Sequence, residues 1–206
     1  MKKGISKGQI VEAVLELADK RQNMRSAGFR DIARRLGCAH TNLYNYFDSY
    51  DSLLWGAKEE IVRRLYGEVK ERLIHSKGSN EALETFFSAI LDTYLSHTGW
   101  FYLTWFEQQD SPRLQSHYDL TVSTVDMMVE ALTAIFADTG SHVELNAMRM
   151  NLHNVNAYVH GELSIYLAGR GLIREEQPFK DYVVKQAARM MRLLVNDIGN
   201  TSAVMR

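Results

Sequence analysis

Apolar side chains recur at steps of three and four residues along most of this 206-residue chain, and this spacing constrains the fold more than any other feature. The spacing places apolar residues on one face of an α-helix, whereas a half-buried strand would need strict alternation. Only two prolines, Pro112 and Pro178, interrupt the pattern. Because no convincing alternating stretch appears, the sequence predicts an all-α protein.

The first 50 residues contain three predicted helices. The first runs from about Lys7 to Arg21, with Ser6 as its N-cap. The second runs from about Phe29 to Leu36 and ends at Gly37, the residue type that most often follows a helix. The third covers about residues 40–47. Two short helices joined through a glycine turn predict a helix-turn-helix.

The third helix combines two apolar anchors with a polar and aromatic surface. Leu43 and Phe47 are four residues apart and should point inward together. Six other side chains are left facing outward, namely His40, Thr41, Asn42, Tyr44, Asn45 and Tyr46. Asn and His can bond base edges, and tyrosine hydroxyls can reach phosphates. This composition favours a helix that enters the DNA major groove. The alternative is a surface helix of a bundle with unrelated tyrosines.

Charge is unevenly distributed along the chain. Residues 1–50 hold nine Lys or Arg and five Asp or Glu, a net charge of +4, whereas the remainder carries −5. A basic first quarter followed by an acidic remainder suggests a nucleic-acid-binding head on a body with another task.

Four motifs occur in an order and spacing that resemble the N-terminal domain of the TetR (tetracycline repressor) family. They are Arg30-Asp31-Ile32-Ala33, Gly37, Leu43-Tyr44-Asn45-Tyr46-Phe47 and Asp51-Ser52-Leu53-Leu54. The motif match covers about residues 8–55. The resemblance implies an N-terminal three-helix helix-turn-helix DNA-binding domain over residues 1–50. It also implies a larger C-terminal helical domain, residues 51–206, that binds a small-molecule effector and dimerises.

The resemblance implies DNA contacts at individual positions. These are Arg30, His40, Thr41, Asn42, Tyr44, Asn45, Tyr46 and Tyr50. Tyr50 stands where the family usually has a lysine, so a charged phosphate contact is replaced by a neutral side chain. Ala39 stands where the family often has a Ser or Thr cap, so the recognition helix lacks that support.

Further helices are predicted at about residues 52–76, 81–97, 99–109, 112–138, 143–169 and 178–199. Aromatic residues crowd residues 100–106, where they either line a ligand pocket or pack in a core. The candidate ligand-binding residues are Trp100, Tyr102, Trp105, Phe106, Met127, His153 and Asn156.

Two apolar stripes mark the last two long helices. The stripes are Leu145, Met148, Leu152, Val155, Val159 and Tyr166, then Phe179, Val183, Gln186, Met190 and Leu193. Two such helices predict half of an intersubunit four-helix bundle, and hence a homodimer through about residues 143–199. The alternative is that each stripe packs within its own subunit.

Nothing in the sequence predicts a catalytic, metal or cofactor site. His153 and His160 lie roughly 10.5 Å apart along a helix axis, too far to hold one metal comfortably. The chain has no nucleophile elbow, phosphate loop, paired-histidine zinc motif or dinucleotide fingerprint. Cys38 is the single cysteine, which excludes an internal disulfide.

No secretory signal and no long apolar run appear, so a cytoplasmic protein without membrane contact is expected. The sequence thus predicts a non-enzymatic transcriptional regulator, most simply a repressor that a small molecule releases from a near-palindromic DNA operator. The alternative is a helical ligand-binding or adaptor protein whose helix-turn-helix contacts other proteins.

Overall fold

The computed structural model describes residues 5–21, 24, 27–107, 115–140 and 143–204, without the side chains of 115–121 and 198–204. Helices occupy most of these residues and confirm the predicted all-α class. They are α1 Lys7–Arg21, α2 Phe29–Leu36, a 3₁₀ helix His40–Asn45, α3 Tyr50–Leu73, α4 Ser79–Ser96, α5 Thr98–Trp105, α6 Gln115–Ala137, α7 Leu145–Leu167 and α8 Glu176–Val204. The predicted helix start at residue 112 lies outside the described residues, as does the predicted end at residue 109.

The chain forms two compact units. The first comprises Met1–Arg64 and Tyr94–Val122, and the second comprises Leu65–Thr93 and Ser123–Arg206. The functional boundary that the sequence suggested near residue 50 therefore falls inside the first unit.

In the first unit, α1 begins with a reciprocal cap. The hydroxyl of Ser6 accepts from the Gln9 N–H at 3.2 Å, while the Gln9 side-chain oxygen accepts from the Ser6 N–H at 2.9 Å. Two otherwise unpaired helix-end donors are thus satisfied, which confirms Ser6 as the cap. The predicted bounds of α1 and α2 match the structure.

Helix α5 packs against α1 within the same unit. The Trp100 indole is buried and donates to the Leu15 carbonyl at 3.3 Å. His97 stacks on that indole with 3.9 Å between ring centroids, and its Nδ1 lies 2.6 Å from an Asp19 carboxylate oxygen. Trp100 therefore belongs to the core between α1 and α5.

In the second unit, α7 and α8 pack against each other. Their buried residues include Met148, Leu152, Val155 and Val159 of α7 and Phe179, Val183, Ala187 and Met191 of α8. Six of the eleven residues in the two predicted stripes are therefore buried within the chain, whereas Leu145 and Leu193 are exposed. The homodimer through about residues 143–199 stays a prediction. The short connection between α7 and α8 favours such antiparallel neighbours.

Asp92 of α4 links three helices of the second unit. Its carboxylate accepts from Lys180 of α8 at 2.6 Å and from Arg72 of α3 at 2.5 Å. Burial alone would raise the pKa of Asp92, but these two hydrogen-bonded cations lower it below its usual value. The carboxylate is therefore charged at neutral pH and forms ion pairs with both cations.

Candidate nucleic-acid interface

Gly37 sets the direction of the chain between α2 and the 3₁₀ helix. It has φ 65° and ψ 33°, a left-handed conformation that glycine adopts without the steric cost of a Cβ atom. The Gly37 N–H donates to Arg34 at 3.3 Å, and the Cys38 N–H donates to Ala33 at 3.0 Å. This paired helix ending redirects the chain sharply, as the sequence predicted.

Asp31 holds the start of α2 and joins it to α1. Its carboxylate accepts from the Gly28 N–H at 3.3 Å, which satisfies a donor at the helix start. The same side chain lies 3.4 Å from the Arg21 guanidinium and 3.5 Å from that of Arg34. Within the Arg30-Asp31-Ile32-Ala33 motif, Asp31 thus has a structural role, Ile32 and Ala33 are buried, and Arg30 is exposed.

Residues 40–47, the predicted recognition helix and from here on the recognition segment, differ from the prediction in helix type. An α-helix over residues 40–47 was expected, but the structure has a 3₁₀ helix, His40–Asn45. Its bonds run three residues back, from Asn42 to Ala39 and from Tyr46 to Leu43, each at 3.0 Å. Ala39 provides no side-chain cap, and six residues of mostly weak helix formers do not sustain an α-helical register.

The two faces of the segment are nevertheless as predicted. Leu43 and Phe47 are buried, with exposed fractions of 0% and 4%. The six remaining side chains are all exposed, namely His40, Thr41, Asn42, Tyr44, Asn45 and Tyr46. Tyr44 and Tyr46 are large rings with exposed fractions of 54% and 38%. A short, rigidly anchored element thus presents hydrogen-bonding groups to solvent.

Internal contacts orient the two exposed tyrosines. The ring of Tyr44 meets that of Phe29 edge-on, with 4.7 Å between centroids and 83° between planes. The Tyr46 hydroxyl donates to the Ile5 carbonyl at the start of the chain's described part. Both rings therefore have one side fixed by the protein and the other exposed.

Tyr50, which the resemblance implied as a DNA contact, has an internal partner. It is half-buried at the start of α3, and its hydroxyl donates to the Met24 carbonyl at 3.2 Å. Burial raises its pKa above the ordinary tyrosine value, and the nearby Glu107 and Asp31 carboxylates raise it further. Its hydroxyl is thus a neutral donor engaged within the first unit.

The predicted ligand-binding residues are divided between the two units. In the first unit Trp100 is buried, Tyr102 is half-buried, and Trp105 and Phe106 are about half exposed. In the second unit Met127 is half-buried and His153 is exposed. The Asn156 side-chain oxygen is buried without a hydrogen-bond partner among the described residues.

The second unit contains a polar cleft that was not predicted from the sequence. It has a volume of about 560 Å³ and contains none of the predicted ligand-binding residues. Its walls include Arg72, His75, Ser88, Lys180 and Asp181. These residues come from distant parts of the sequence, so no local pattern indicates that they share a site.

Two kinds of feature are missing from the described residues. No group of three or more His, Cys, Asp or Glu side chains there is arranged to hold a metal ion. None of the helices in the described ranges has the length and apolar character needed to cross a membrane.

No family model and no curated protein matches this sequence. Solved structures do match its fold. A protein of unknown function from Rhodococcus sp. RHA1 is 16% identical with a TM-score of 0.74, covering 94% of this chain and 98% of that one. A tetR-family regulatory protein from Rhodococcus RHA1 is 13% identical with a TM-score of 0.68, covering 92% and 98%. The transcriptional regulator FadR from Bacillus subtilis, in complex with stearoyl-CoA, is 14% identical with a TM-score of 0.65, covering 92% and 98%. This chain therefore has the fold of TetR-family transcriptional regulators.

Proposed function

We propose that this protein is a TetR-type, sequence-specific DNA-binding transcriptional regulator, and that it is a repressor released from its operator by a small molecule. The observation that carries the proposal is the recognition segment, in which two buried anchors hold six exposed polar or aromatic side chains. The shared fold of solved regulators supports it.

DNA recognition in this proposal divides the exposed side chains by chemistry. His40, Asn42 and Asn45 contact base edges, and the Thr41 methyl group contacts a thymine methyl. Tyr44 reaches a phosphate and sets the register. The Tyr46 hydroxyl already donates to Ile5, so Tyr46 contacts DNA through its exposed ring. Arg30, exposed at the start of α2, adds a base or phosphate contact. We leave Tyr50 out of the contact set because its hydroxyl is bonded to Met24.

The proposed homodimer uses the outer face of α7 and α8. Ile165 and Leu193 are 47% and 55% exposed, and Met150 and Tyr182 are similarly uncovered. Ala157 and Gly161 lie on the same face of α7 as Ile165 and allow a second helix to approach closely. A second copy would bury this apolar face in a four-helix bundle and place two heads one helical turn of DNA apart, about 34–36 Å. A near-palindromic operator follows from that symmetry.

Release of the operator requires an effector that binds one arrangement of the two heads better than the other. The FadR structure contains stearoyl-CoA, so long-chain acyl-CoA esters are the first compounds to test. We propose no catalytic role for the chain. A protein with this function works in the cytoplasm, where the operator lies.

Selection of duplexes from a random pool tests the proposal directly. A preferred near-palindromic duplex should emerge, and His40→Ala combined with Tyr44→Ala should weaken its binding by roughly tenfold or more. Glu130→Ala, at an exposed position of α6, is the matched control and should bind like the wild type. An unchanged affinity in the folded double variant would refute the assignment of the recognition segment. The absence of any preferred duplex would favour the adaptor alternative.

A further inference from the structure

Met24 lies between α1 and α2, and its backbone binds two side chains that lie 26 and 83 residues further along the chain. We propose that Glu107 and Tyr50 clamp Met24, and that this clamp positions the 3₁₀ helix for reading DNA. The two residues are then positioning residues that do not touch DNA. This role rests on the proposed function.

Both backbone groups of Met24 are used in the clamp. Its N–H donates to the Glu107 carboxylate at 3.2 Å, and its carbonyl accepts from the Tyr50 hydroxyl at 3.2 Å. The Met24 side chain is only 1% exposed, so the residue is fixed by its side chain as well as by its backbone. Buried backbone groups that lose such partners carry a substantial cost, so the arrangement is strongly preferred.

Glu107 is itself held in place by two other helices. Its own N–H donates to the Tyr102 carbonyl at 3.0 Å, which fixes it at the end of α5. Its carbonyl accepts from the Lys58 ammonium of α3 at 2.9 Å. Lys58 also lies 4.7 Å above the Trp55 ring, a cation–π contact that restrains the lysine. The carboxylate that binds Met24 is therefore anchored to both α3 and α5.

A continuous set of contacts leads from the clamp to the recognition segment. The Tyr50 ring meets the Phe29 ring edge-on, with centroids 6.0 Å apart. Phe29 in turn meets Tyr44 at 4.7 Å. The Met24 carbonyl also accepts from the Ala27 N–H at 3.0 Å, just before α2 begins. A shift of Met24 would therefore displace both the start of α2 and the ring that supports Tyr44, because packed interiors transmit displacement.

Positioning and direct phosphate contact have different consequences for DNA binding. A lost phosphate contact weakens binding to every duplex, because phosphates carry no sequence information. A misplaced recognition segment weakens base reading more than sequence-independent binding, because most of its exposed side chains are assigned to bases and only Tyr44 to a phosphate. The ratio of affinities for two duplexes therefore separates the two roles.

The test compares a duplex selected from a random pool by the wild-type protein with a shuffled duplex of the same length and composition. Tyr50→Phe and Glu107→Ala should each weaken binding to the selected duplex by about fivefold, the effect of one lost hydrogen bond. Binding to the shuffled duplex should fall by less, because only the phosphate contact of Tyr44 is disturbed there. Glu107→Gln should stay close to wild type because its amide oxygen can still accept from Met24. Together, Tyr50→Phe and Glu107→Ala should cost less than the sum of their separate effects, since they share one target.

Two variants on α3 serve as controls, Tyr66→Phe and Glu71→Ala, and both should bind like the wild type. Equal loss on the selected and shuffled duplexes would overturn the proposal in favour of a phosphate contact by Tyr50. Unchanged binding to both duplexes would overturn it as well.

Amide hydrogen exchange tests the clamp without DNA. Glu107→Ala should speed exchange at Met24 and in the 3₁₀ helix of the free protein, whereas Glu71→Ala should not. Unchanged exchange would overturn the clamp even if the wild-type protein selects an operator. Failure of the wild-type protein to select any duplex, with faster exchange in Glu107→Ala, would instead overturn the proposed function and the DNA-reading role of the clamp together.

Discussion

A Cβ atom on Gly99 would lie 2.2 Å from the carbonyl oxygen of Ala18, because the start of α5 lies directly on the backbone of α1. The same atom would lie 2.5 Å from the Asp19 amide nitrogen. Backbone atoms within a helix cannot rotate aside as a flexible side chain can. Gly99 is thus required by the close approach of two helices.

Gly99→Ala should lower the free energy of unfolding by about 1–3 kcal/mol, the usual cost of forcing extra volume into a packed core. Urea unfolding followed by circular dichroism measures this change. Gly67→Ala is the matched control, since a Cβ atom there meets nothing within 4 Å and Gly67 lies inside α3. The control should gain about 0.5–1 kcal/mol from better helix propensity. A Gly99→Ala variant as stable as the wild type would contradict the close approach.

A cap added at Ala39 should strengthen the recognition segment. Ala39 has extended backbone, with φ −72° and ψ 138°, and makes no side-chain cap. Ala39→Thr supplies a hydroxyl acceptor for the first free N–H groups and should stabilise the segment by about 0.5–1 kcal/mol. We expect tighter binding to the selected duplex by about two- to fivefold, measured by fluorescence anisotropy. Ala39→Val has the same shape without the acceptor, so equal gains in both variants would refute capping as the cause.

Stability should fall in mildly acidic solution because of His160. Burial lowers the pKa of His160 from its ordinary value of 6.5 to about 4. Between these two values the unfolded chain binds a proton that the folded chain does not, so the free energy of unfolding decreases as pH falls through that window. The loss is at most about 3 kcal/mol.

Urea unfolding at several pH values from about 7 to about 4 measures this loss. His160→Gln should remove most of the decrease in the free energy of unfolding between these pH values. His75→Gln, at an exposed position, should keep that decrease. The lowered pKa values of Asp92 and Glu60 act in more acidic solution, because those carboxylates lose their stabilising charge only below the ordinary carboxylate range. If the free energy of unfolding of His160→Gln depends on pH as in the wild type, groups other than His160 cause the loss of stability.

Acidic residues on the outer face of α7 and α8 should separate the proposed dimer. Ile165→Glu combined with Leu193→Glu introduces like charges into a face that a second copy would bury. Sedimentation velocity should show a monomer, and operator affinity should fall by roughly a hundredfold or more as the two heads lose their linkage. Ile74→Glu, at an exposed position between α3 and α4, is the control. A double variant that still sediments as a dimer would place the interface elsewhere.

Local signals in the sequence predicted local structure well. The bounds of α1 and α2 follow from apolar spacing with Ser6 and Gly37 at the ends, and all of these signals lie within a few residues. The spacing of Leu43 and Phe47 also predicted correctly that both side chains are buried. The helix type of their segment was not, because 3₁₀ and α forms differ by one residue in hydrogen-bond register and the decision depends on the missing cap at Ala39.

Long-range relationships could not be predicted in the same way. Apolar spacing predicts that Met148 and Val159 are buried. It does not predict that α8 of the same chain packs against their helix. The outer face that remains contains Ala157 and Gly161, small residues that give a weak apolar signal. Met24 and Glu107 lie 83 residues apart, and no spacing rule connects a backbone N–H to a carboxylate at that distance.

Residues 40–47 combine an inward pair that anchors the segment, Leu43 and Phe47, with six side chains that face solvent. Replacement of Leu43 or Phe47 would remove the buried anchors of the segment, whereas exchanges at the six exposed positions leave these anchors in place. Under the proposed function, target preference can therefore diverge in evolution by substitutions that cost little folding stability. Related chains of this architecture should accordingly keep their inward pair while their outward residues drift apart.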